Sequence, residues 1–153
     1  IILIEEGKYK EYKEVVAESI KSNYSFFINP LENSEVRHNY EYVIKPTVEK
    51  HNFKIESVDE ISHVKEITNI IVDSIRKSRF LIADLTEEKP NCYYEIGYAH
   101  ALEKPVVILA KKGTIRHFDI QGYKWNYWNN YKNLKDFFER ELVEVLKNLD
   151  KLR

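Results

Sequence analysis

Two short, unbroken apolar runs constrain this chain more than any other feature. They are RFLIAD (79–84) and PVVILA (105–110), separated by a stretch with helical character. A run of that length without polar alternation reads as a strand buried on both faces, the usual state of a central strand in a parallel sheet. The neighbouring segments keep the same rhythm. Tyr9, Tyr12, Val16 and Ile20 recur at helical spacing over 8–22, and YSFFI (24–28) is a short apolar strand stopped by Asn29 and Pro30. Val36, Tyr40, Val43, Ile44 and Thr47 predict a helix over 36–50, with a kink or break at Pro46 because proline removes a helical N–H and crowds the preceding turn. FKIES (53–57) is the next strand, and Ile67, Ile70, Ile71 and Ile75 form the stripe of another helix. A helix over 91–103, a strand in YKWNYW (123–128) and a last helix bearing Leu134, Phe137, Phe138, Leu142, Val145 and Leu146 complete the pattern.

Alternating strands and helices predict an α/β fold. It is an open five-stranded parallel sheet, flavodoxin- or Rossmann-like, in the order 2-1-3-4-5 with helices on both faces. In such sheets ligands sit beyond the carboxyl ends of the strands. That edge must carry Asn29, Asp84 and the start of the 91–103 helix. With 153 residues the chain reads as one compact unit over 24–153, preceded by a helical extension over 1–23.

Composition excludes several functions. There are 24 basic and 25 acidic side chains, so no charge excess calls for nucleic acid or an anionic membrane surface. No apolar run reaches the length of a membrane span. The single cysteine, Cys92, excludes an internal disulfide and suits a reducing, cytoplasmic setting. It lies near a helix start, which favours a thiolate, but no histidine adjoins it, so it is read as incidental. The five histidines show no metal-ligand spacing, so neither a metal nor a cofactor is expected. The four glycines form no phosphate-binding loop, although a dinucleotide can also place its phosphate at a helix N-terminus. The chain opens on Ile1 and contains no methionine, which suggests one domain of a longer protein.

One joint concentrates chemistry. In ADLTEEKPNCYYEIGYAHALEKP (83–105), Asp84 ends a strand, Asn91 is placed to cap the next helix, and Glu95 follows one turn later on the same face. Gly97, inside that helix, costs roughly 1 kcal/mol relative to alanine. Close packing on the sheet or a ligand against the backbone would offset it. Two carboxyls in one small site separate in pKa. One then serves as nucleophile and the other as proton donor to a leaving group, the pairing that cleavage at an anomeric carbon requires. Each residue has a plainer reading, a loop cap for Asp84 and a helix-dipole partner for Glu95. His100, a turn beyond Glu95, reads as a packing residue. Within the aromatic run Tyr123, Trp125, Tyr127, Trp128 and Tyr131, the alternation at 123, 125 and 127 reads as one strand face against the core or a partner subunit, with stacking of the run on a base as the alternative.

These blocks resemble the nucleoside 2-deoxyribosyltransferase superfamily, in its bacterial TIR-like branch. SFFINPL (25–31) is similar to the first strand and its proline-containing loop, and YEYVIKPTVEKHNFKIESVDEI (40–61) to the segment that follows. IADLTEEKPNCYYEIGYAHALEKPVVIL (82–109) resembles the branch's most diagnostic block, and FDIQGYKWNYW (118–128) its closing strand. The resemblance implies that Glu95 attacks the sugar C1′ to form a glycosyl-enzyme intermediate. Asp84 would then lie near the leaving base, with Asn29, Pro30, Asn91 and Gly97 contributing to substrate binding. It implies a nucleoside, nucleotide or NAD as ligand and a homo-oligomer as the working form. Asn29 stands where the transferases carry glycine, and TEEKPN replaces their acidic loop, so N-glycosidic cleavage is a safer expectation than base exchange. The competing expectation is a non-catalytic module that senses a nucleotide or self-assembles within a larger protein, including defence effectors. A flavodoxin-like receiver is disfavoured because the first strand does not end in an acidic cluster.

Overall fold

The computed structural model describes residues 13–14, 18–19, 21–61, 67–116 and 123–149. Its centre is a five-stranded sheet in the order β2-β1-β3-β4-β5, every neighbouring pair parallel. The strands are β1 (Tyr24–Ile28), β2 (Lys54–Ser57), β3 (Phe80–Asp84), β4 (Val106–Lys111) and β5 (Trp125–Trp128). The helices are α1 (Ser34–Asn39), α2 (Lys45–Lys50), α3 (Val58–Ile61), α4 (Ile67–Lys77), α5 (Pro90–Ala101) and α6 (Tyr131–Asn148). The expected topology is therefore the observed one. The short α3 was not anticipated. Most of the helix expected over 8–22, like residues 118–122 of the closing segment, lies outside the described residues.

Strand alternation sorts side chains into two cores. Phe27, Ile55, Phe80, Ile82, Val107, Leu109 and Trp128 face α1, α2 and α6, which supply Val36, Val48, Leu134, Phe138 and Leu142. Phe26, Ile28, Leu81, Ala83, Ile108, Ala110 and Trp125 face α4 and α5, which supply Ile75, Cys92, Ile96 and Ala99. β1 and β3 are buried at every position, as central strands covered on both faces must be. Of the three aromatics expected on one strand face, Trp125 enters the α5 core while Tyr123 and Tyr127 stay exposed; Trp128 enters the α6 core on the other side of the sheet. Tyr123 stacks on His100 with ring centroids 3.6 Å apart, consistent with a packing role for the histidine.

At Pro46 the chain stays helical but changes helix type, with the proline in the first turn of α2. Between α1 and α2 the chain widens into a π-helical stretch, Tyr40–Ile44, closed by the Lys45 N–H on the Tyr40 carbonyl five residues back. A widened turn gives the proline ring room where an α-helix would drive it into the preceding carbonyl. Elsewhere, buried Lys104 closes the end of α4. Its ammonium donates to the Arg76 carbonyl at 2.6 Å and to that of Ser78, and burial lowers its pKa to about 8. Among the described residues no helix is long and apolar enough to cross a membrane.

Candidate functional site

The strand order reverses at β1, so the connections that follow β1 and β3 lead to opposite sides of the sheet. This switch point is where open α/β sheets hold ligands. The first loop turns sharply after β1. The Asn29 side-chain oxygen accepts the Leu31 N–H at 2.8 Å, and Leu31 adopts a left-handed backbone with φ of 57°. The second loop, between β3 and α5, holds Glu87 and Glu88 at φ of 71° and 47°. Consecutive non-glycine residues in that region persist only where their surroundings fix them. Three ties do so. Asn29 Nδ2 donates to the Asp84 carbonyl at 2.9 Å, Asn33 Nδ2 donates to Glu87 at 2.8 Å, and Lys89 pairs with Glu32.

Beside these loops lies a cavity of about 580 Å³, within the range of small-ligand sites. The first loop contributes Pro30 and Glu32, and the end of β2 with α3 contributes Val58 and Asp59. α4 contributes Ile71, and the start of α5 contributes Lys89, Pro90, Asn91 and Glu95. Glu95 has no hydrogen-bond or ion-pair partner among the described residues, and burial alone raises its pKa to about 7. Glu95 is thus a half-buried carboxyl in a cavity at the switch point, with no protein partner among the described residues.

Asp84 is placed differently from the expectation. It is completely buried and does not line the cavity. One carboxylate oxygen accepts the Thr86 N–H at 2.9 Å and the other accepts the Trp128 indole N–H at 2.9 Å. Burial raises its pKa to about 6, opposed by the Thr86 and Trp128 hydrogen bonds. The two acids do not share a crevice, and neither perturbs the other. Each responds to its own burial.

The remaining expected residues divide similarly. Pro30 and Asn91 line the cavity. Asn29 does not; it sits buried behind the wall as the bridge to Asp84. Asn91 is not the helix cap, because α5 starts one residue earlier with Pro90 in its first turn, and Lys89 takes the cap position without a side-chain bond. Proline favours the first helical position because its missing N–H is not needed there. Gly97 neither packs on the sheet nor lines the cavity. It is exposed, and a Cβ built there would meet nothing within 4 Å. Cys92 is buried and its thiol is pushed up to about 12, so it is inert. Glu32, Val58, Asp59, Ile71, Lys89 and Pro90 were missed as site residues. The signal available for Val58 and Asp59 was their place just beyond the carboxyl end of β2. Ile71 carried none, being one of four isoleucines on a helical stripe. No group of three or more His, Cys, Asp or Glu among the described residues is placed to hold a metal.

No family model and no curated protein matches the sequence. Solved structures do match in shape, and the fold they define is that of the nucleoside deoxyribosyltransferases. One is the 2-deoxyribosyltransferase of Bacillus psychrosaccharolyticus, with a TM-score of 0.58 at 13% identity, covering 74% of this chain and 90% of that one. Another is the Clostridium botulinum CMP N-glycosidase BcmB, with a TM-score of 0.56 at 19% identity over 78% of this chain and 98% of that one. A third is the 2-deoxyribosyltransferase of Leishmania mexicana, at 0.53 and 17% identity over 76% and 97%. At these identities the likeness is one of fold.

Proposed function

We propose that this chain cleaves or transfers across the N-glycosidic bond of a nucleoside, a nucleotide or NAD, with Glu95 as the attacking carboxylate. The observation that carries the reading is Glu95 itself, an acid without a protein partner among the described residues, in the cavity at the carboxyl edge of the sheet. The neighbours in fold, two deoxyribosyltransferases and a CMP N-glycosidase, support the same class of reaction.

In the first step a Glu95 oxygen bonds to the anomeric carbon, and the carbon–nitrogen bond breaks with its electron pair leaving on the base. The base takes up a proton from solvent water, and the sugar remains as an ester of Glu95. In the second step water, or a second base, attacks the same carbon, the sugar–carboxylate bond breaks to release the carboxylate, and the attacking group gives its proton to solvent. Asp84 has a positioning role in this reading. Its carbonyl anchors Asn29 and its carboxylate anchors Thr86, so it holds both loops. The finer assignments belong to the same proposal: the TIR-like branch of the superfamily, and a cytoplasmic homo-oligomer.

The test is incubation with a panel of nucleosides, nucleotides and NAD, with free base measured by chromatography. Wild-type protein should release base from at least one of them, and Glu95→Gln should release none. Wild-type turnover by Glu95→Gln would overturn the covalent mechanism. Ligand binding by the wild type without base release would favour the sensing module instead.

A further inference from the structure

The charges around the cavity bear on its substrate. Among the described residues, Glu32, Asp59 and Glu95 place three carboxyl groups on the lining, against one ammonium, that of Lys89. That ammonium is already engaged by Glu32. Among the described residues no arginine lines the cavity, although arginine is the side chain best suited to hold a phosphate. A helix N-terminus can also bind phosphate through its backbone N–H groups. Here the start of α5 is poorly equipped for it. Pro90 has no N–H to offer, and the Cys92 N–H turns back to the Lys89 carbonyl at 3.0 Å. Val58 and Ile71 supply apolar surface for an uncharged ring.

Resting on the reading of the site given above, we propose that the cavity selects an uncharged nucleoside and rejects its 5′-phosphate, with Asp59 and the Glu32–Lys89 pair as the determinants of that choice. Asp59 repels the phosphate directly, and Glu32 withholds the cation that would otherwise receive it. The carboxylates also suit the hydroxyl and amino donors of a neutral nucleoside, which charge-assisted hydrogen bonds reward. Diphosphate-bearing ligands such as NAD fall under the same exclusion.

Equilibrium binding tests this without depending on turnover. Calorimetric titrations of the wild-type chain would compare uridine, cytidine, adenosine and their 2′-deoxy forms with the matching 5′-monophosphates. At low salt the best nucleoside should bind about 10-fold or more tighter than its monophosphate, and added salt should narrow the gap. Asp59→Asn and Glu32→Gln should each narrow it too, by strengthening monophosphate binding. Circular dichroism would confirm that both exposed substitutions leave the fold intact. A monophosphate that binds as tightly as its nucleoside overturns the proposal, as does the absence of binding by every nucleoside. Nucleoside binding without cleavage sinks the catalytic reading and leaves this one standing. Cleavage with a preference for monophosphates does the reverse.

Discussion

Glu95→Gln exchanges a carboxyl for an amide of nearly the same shape, in a cavity where the carboxyl has no protein partner. Burial holds the Glu95 pKa at about 7, against an ordinary value of 4.5. The unfolded chain therefore releases this proton at lower pH than the folded one. Between the two values the unfolded state gains stability from ionisation that the folded state forgoes. Below pH 4.5 the cost is absent, and above pH 7 it is fully present. A tenfold difference in proton affinity between the two states is worth about 1.4 kcal/mol, so the whole is about 3 kcal/mol. Residual solvent access to Glu95 lowers that to about 2 kcal/mol. Glutamine never ionises and escapes the cost. The variant should match the wild type near pH 4 and exceed it by about 2 kcal/mol near pH 8, a rise of roughly 4–8 °C in Tm for a chain of this size. Urea unfolding of both proteins at the two pH values measures the difference directly. A difference that does not change with pH, or a variant less stable at pH 8, would refute the argument that burial alone perturbs Glu95.

Asp84→Asn should act in the opposite sense. An amide cannot accept from both Trp128 and Thr86, so one buried N–H meets an N–H, and denaturation should show a loss of about 1–3 kcal/mol. Gly97→Ala should raise stability by about 1 kcal/mol, because the helical position is exposed and a methyl group there meets nothing. An unchanged or lower midpoint in thermal melts would contradict this. On any nucleoside that is cleaved, kcat/KM should rise with pH through about 7, as the free protein's Glu95 becomes a carboxylate. A fall over the same range would make Glu95 a proton donor and not the nucleophile.

The sheet was legible because β3 and β4 are apolar without interruption, and such runs have few other places to go. Its order rested on the alternating pattern together with the family resemblance, and right-handed crossovers make that order natural. Glu95 was legible from its place one turn into a helix that follows a strand end. The burial of Asp84 was not, because an aspartate ending a strand looks the same whether it faces a crevice or the core. What decides between them is an indole 44 residues further on, and nothing local announces that pairing. α5 starts one residue before the expected position because Pro90 suits the first helical position, although Asn91 carries the side chain of a cap. At Pro46 a proline within helical spacing predicts an interruption, whereas whether a widened turn absorbs it depends on the neighbouring packing.

The Asp84 knot also bears on the order in which the chain can mature. Its carboxylate joins β3 to the last residue of β5, while its carbonyl holds the loop after β1. During synthesis the first four strands emerge well before Trp128. In that interval they would have to enclose an acid that still lacks its indole donor. The last strand contributes no side chain to the cavity, yet it completes the partner set of the group that anchors both loops. Assembly of the crevice is thereby tied to the arrival of β5, and a nascent chain acquires a finished binding site only as its final strand closes the sheet.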